Sequence, residues 1–77
     1  MKSTMTGEQF GNTLNHPRTK RGDVITYHIG NLMHDRCYYV EADSVARAAY
    51  GAYKEGRVTL VQRRTTPTAC VYMAVVL

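Results

Sequence analysis

From Arg57 to Val76 the chain carries two runs of β-forming residues, Arg57–Arg64 and Ala69–Val76, separated only by Thr65-Thr66-Pro67-Thr68. No other feature limits the fold as strongly. Valine and threonine suit a pleated ladder, and so short a proline-bearing turn calls for antiparallel pairing of its flanks. With 77 residues in all, the chain has material for one thin core laid against that hairpin. A single domain over 1–77 is expected, with 1–5 as a flexible start.

Upstream, Thr6 and Gln9 have the spacing of a capping box, and Phe10 and Leu14 lie four apart on one helical face. The pattern predicts a helix over Gly7–Leu14, ended by Asn15-His16-Pro17 because the residue before proline is pushed out of helical geometry. Val24–Ile29, bounded by Gly22 and Gly30, reads as a short strand. Asn31 is a suitable N-cap for a brief helix over Leu32–Cys37. Asp43 or Ser44 caps an alanine-rich helix over Val45–Glu55, and Gly56 supplies its stop. Wrapped at the helical period, Val45, Ala48, Ala49, Ala52 and Tyr53 share one side, while Ser44, Arg47, Gly51 and Lys54 share the other, with Tyr50 at the boundary.

Ten Lys and Arg against six Asp and Glu leave a net charge of +4. The excess is local. Arg57 to Leu77 has three arginines and no acid, Arg18, Lys20 and Arg21 form a basic loop, and Asp35, Glu41, Asp43 and Glu55 sit between. This distribution favours a polyanionic partner. No apolar run is long enough to span a bilayer, and no apolar leader follows Met1, so a cytoplasmic protein without membrane contact is expected.

Two cysteines, Cys37 and Cys70, are too few for a disulfide scaffold. Cys37 near His34, with His16 and His28 elsewhere, lacks the paired spacings of a closed zinc site, so neither metal nor other cofactor is expected. No serine, histidine and acid stand at an interpretable catalytic spacing, and no glycine-rich loop leads from a strand into a helix. Catalysis is not expected.

The order helix, strand, helix, helix, strand, strand from Thr6 to Val76 resembles a winged helix-turn-helix domain, an α+β fold of three helices and a small antiparallel sheet. In size and pattern the chain is also similar to small phage and prophage proteins. The resemblance implies that the third helix, Ser44–Glu55, enters the major groove of duplex DNA, with Ser44 and Arg47 at its reading end. There an arginine can pair with guanine O6 and N7. It further implies phosphate contacts from Tyr50 and Lys54, and a wing formed by Arg63, Arg64, Thr65, Thr66 and Thr68. Arg18, Lys20 and Arg21 add a third patch if the fold brings that loop round. The function implied is a phage or prophage transcriptional regulator or recombination-accessory factor, with homodimerisation as a route to specific binding. The alternative is a protein-interaction module, such as a phage-encoded inhibitor of a host nuclease complex or polymerase.

Overall fold

A computed structural model describes residues 3–77. The elements are β1 (Ser3–Thr4), α1 (Gly7–Leu14), β2 (Val24–Gly30), α2 (Leu32–Asp35), α3 (Val40–Lys54), β3 (Val58–Thr66) and β4 (Ala69–Val76). Three helices and an antiparallel sheet of strand order β1-β2-β4-β3 make an α+β fold. β1 falls in the stretch expected to be a flexible start. Ser3 pairs with Ile29 and Thr4 with His28, and the Met5 N–H donates to the Tyr27 carbonyl at 2.9 Å. The rest of that stretch, Met1 and Lys2, lies outside the described residues.

α1 begins as its sequence requires. Thr6 Oγ1 accepts the Gln9 N–H at 3.0 Å and Gln9 Oε1 accepts the Thr6 N–H at 2.9 Å, closing the capping box. Phe10 and Leu14 turn into the core. α2 is shorter than expected: Asn31 caps it, accepting the His34 N–H at 3.2 Å, but it ends at Asp35 rather than Cys37. α3 differs more. It starts at Val40, five residues ahead of Val45, with Tyr39 at the N-cap and no side-chain cap bond. Asp43 and Ser44 are therefore inside the helix. The buried stripe Ala42, Val45, Ala46, Ala49 and Ala52 extends the apolar face one turn backward, and Glu41 and Asp43 suit the positive end of the helix dipole. At the other end Gly56 takes φ +75°, the Gly56 N–H donates to Tyr53 and the Arg57 N–H to Ala52, each at 3.0 Å. This is a Schellman stop, which needs the left-handed conformation that glycine adopts freely.

β4 is central, between β2 and β3. Register assigns its two faces: Ala74 stands between Ile25 and Leu60, whereas Met73 stands between Thr26 and Val61. The first set faces the helices. Phe10, Leu14, Ile25, Tyr27, Val45, Ala49, Ala52, Val58 and Ala74 form the core. A bulge between Thr26 and His28 puts Tyr27 and His28 inside one after the other, 4% and 2% exposed, where regular alternation would have turned one of them out. Tyr27 meets Phe10 edge to face at 5.7 Å, and His28 meets Tyr72 at the same centroid distance.

Candidate nucleic-acid interface

The hairpin outruns the core. From Val61 to Thr68 every residue of β3 and its turn is exposed. Because side chains alternate along a strand, the adjacent cations part company: Arg64, opposite Cys70, takes the helix side, and Arg63, opposite Val71, takes the open side. At the tip the Thr65 hydroxyl donates to the Ala69 carbonyl at 3.4 Å, and Thr66 Oγ1 accepts the Thr68 N–H at 3.3 Å. The threonines thus shape the turn as well as presenting hydroxyls from it.

On the helix side the hairpin faces α2 across two shallow depressions. One, of about 290 Å³, is lined by Leu32, Met33, Arg36, Gln62 and Tyr72. The next, of about 250 Å³, runs on past Arg64 to Pro67 and Thr68. The Tyr72 hydroxyl braces this groove by accepting the Leu32 N–H at 3.2 Å. Arg36 links the groove to α3 through Asp43, its Nη2 lying 3.0 Å from Asp43 Oδ1. Arg47 Nε reaches the other oxygen, Oδ2, at 2.9 Å. One carboxylate therefore orients two guanidinium groups and neutralises one of their two charges. Farther along α3, the Tyr50 and Tyr53 rings lie 6.1 Å apart and Lys54 Nζ sits 5.6 Å from the Tyr50 centroid, all three exposed.

Arg47, Tyr50 and Lys54 share the exposed face of α3, as their spacing implies. Ser44 does not join them. Its hydroxyl accepts the Gly7 N–H at 3.0 Å, tying α3 to the first turn of α1, because α1 packs against this flank of α3. Tyr53, expected on the apolar side, is half exposed. The basic loop stays away from the wing. Gly22 and Asp23 bond to Val76, so Arg18, Lys20 and Arg21 lie at the opposite end of β4 from Cys70 and Arg64, about 20 Å away at the usual strand rise. Arg36, Met33 and Gln62 were missed by sequence reasoning. Gln62 carried a signal, the two-residue spacing to Arg64; Arg36 carried none, since its place depends on where α2 ends.

A second polar cluster sits on the other side of α2. His28 Nε2 is 2.8 Å from Asp35 Oδ2, and both side chains are buried. Asp35 Oδ1 also lies 3.4 Å from the exposed His34 Nδ1. The pair fastens α2 to β2. A depression of about 280 Å³ beside it is lined by Thr4, His28, Asp35, Tyr39, Glu41 and Ala42. Among the described residues no three His, Cys, Asp or Glu side chains converge as a metal site would need, and no helix is long and apolar enough to cross a membrane.

Comparison of the chain with protein-family models, curated proteins and solved structures gives no match.

Proposed function

We propose that this chain is a winged helix-turn-helix domain that binds duplex DNA, with α3 toward the major groove and the β3–β4 hairpin as the wing on the adjacent backbone. The observation that carries this reading is the groove between α2 and the exposed hairpin, lined by Arg36, Gln62 and Arg64, with Arg47 on α3 joined to Arg36 through Asp43. Cations on two neighbouring projections can meet phosphates on both sides of a groove, while a helix between them reaches base edges. Lys54 and Tyr50 extend the contact along α3 and the turn threonines extend it at the wing, while Arg63 lies on the opposite face of the sheet. A regulatory or recombination-accessory role of the phage type fits such a small reader.

Titration of a fluorescently labelled random duplex at several salt concentrations tests the reading. Contact with about three phosphates predicts that affinity falls about 40-fold between roughly 50 and 200 mM salt, and that Lys54→Ala with Arg64→Ala lowers the salt slope by about two. Binding indifferent to salt, or unchanged in the double variant, refutes it.

A second reading has its own support. Asp43 already engages both Arg36 and Arg47, and α3 exposes Val40, Tyr50 and Tyr53, aromatic and apolar groups common at protein interfaces. In that case the domain docks on a protein, as an inhibitor of a nuclease complex or polymerase would. The same titration then shows weak, sequence-indifferent DNA binding that Tyr50→Ala leaves unchanged.

A further inference from the structure

The helices cover only one face of the sheet. On the other, β2 presents Val24 and Ile29, β4 presents Val71, Met73 and Val75, and β3 presents Val61, with two threonines among them. None of the six belongs to the core or to the side chains packed against it. Val24 is 55% exposed and Val61 44%. Among the described residues the sole charge on this face is Arg63, at its wing end. Strand rise and spacing make the face roughly 25 Å long and 18 Å wide. Ile29, Val71, Met73 and Val75 are partly exposed beside Val24 and Val61, and a patch of that extent is of the size that on a monomer often marks an interaction site.

We infer that this face joins a second copy of the chain, sheet against sheet, in a two-fold dimer. Three observations select that occupant. Stacking two such faces removes on the order of 1,000 Å² from water, about the smallest area of a specific assembly. Among the described residues the face has no acid and one terminal cation, so it offers no charge pattern to a charged macromolecule, whereas an apolar twisted sheet is complementary to its own copy at the spacing of sheet-on-sheet packing. A two-fold axis across the strands also sets Arg63 over the Val24 end of the partner and keeps the two arginines apart. The helices and the groove beside α2 stay free on the outside of the pair.

Sedimentation of the full chain from about 1 to 100 μM, with matched samples of Val24→Lys/Val61→Lys and of Val40→Lys, tests the inference. Val40 is the control, an 82% exposed valine on α3, away from the sheet face. The expected result is a wild-type and V40K dimer, and a V24K/V61K monomer with unchanged circular dichroism. A wild-type monomer throughout, a dimer that survives the double substitution, or a dimer lost equally in V40K overturns it. Should the double variant fail to fold, methionine-methyl NMR of the wild type decides. The Met73 signal must shift with concentration while that of Met33, exposed on α2, stays put; a fixed Met73 signal also overturns the inference.

Discussion

At the residue scale, two positions show how far neighbours alter the meaning of a side chain. Gly7 reads as an ordinary first-turn glycine, yet a Cβ there would stand 2.8 Å from the Ser44 carbonyl oxygen. Gly51, in the middle of α3, has nothing within 4 Å of the same atom. Gly7→Ala is therefore expected to destabilise the chain by about 1–3 kcal/mol, and Gly51→Ala to stabilise it by about 0.5–1 kcal/mol, in paired denaturant titrations. Equal effects would mean that α1 does not approach α3 as described. Tyr27 is the second position. Burial, with the neighbouring Tyr72 adding to it, pushes its phenol above the usual 10.0. Below that pH both folded and unfolded chains keep the proton, and the stability of the buried neutral ring is fully present. Above it the unfolded chain releases the proton first, so stability is lost as pH rises toward the folded value. Between about pH 9 and 11 the melting temperature of the wild type should fall more steeply than that of Tyr27→Phe. Parallel curves would remove Tyr27 from the alkaline transition.

At the scale of elements, α2 is the piece least able to stand alone, a single turn too short to be stable by its own hydrogen bonds. It holds its place through Asn31 at its start, Tyr72 beneath it, and the buried His28–Asp35 bond at its end. Asp35→Ala leaves the His28 Nε2–H without that acceptor in a buried place and should lower stability by about 1–3 kcal/mol. Asp35→Asn keeps an oxygen there and should lose less. If the two variants unfold alike, the hydrogen bond to His28 is not what fastens α2. Sequence patterns were reliable for elements whose signals are local. The capping box of α1, the glycine stop of α3 and the two hairpin strands all came through, because each depends on residues three or four apart or on a period of two. The start of α3 and the end of α2 did not. Asp43 and Ser44 are good caps in isolation, but burying Ala42 and continuing the apolar stripe outweighs the missing cap bond at Tyr39.

At the scale of the whole molecule, the candidate interface was legible in its residue types and only partly in its arrangement. Arg47, Tyr50 and Lys54 share a helix face whichever tertiary structure forms, since helical spacing alone puts them together. That Arg36 joins Arg47 at Asp43 follows from where α2 ends against α3, and that Arg63 and Arg64 serve opposite faces and the Arg18–Arg21 loop sits at the far end of the sheet follows from register and strand order. The final apolar stretch shows the same division. Its composition announced a strand, and its position between β2 and β3 makes it the centre of the sheet rather than an edge open to pairing. By itself the sequence determined that α1, α2, the body of α3 and the strands β2 to β4 exist, and that cations and hydroxyls gather at the hairpin, because those properties reside in near neighbours along the chain. Only the tertiary structure decided that Ser44 faces α1, that Tyr27 and His28 are both buried, and that one face of the sheet is left bare. These depend on contacts between residues far apart in sequence, and no local pattern encodes such contacts.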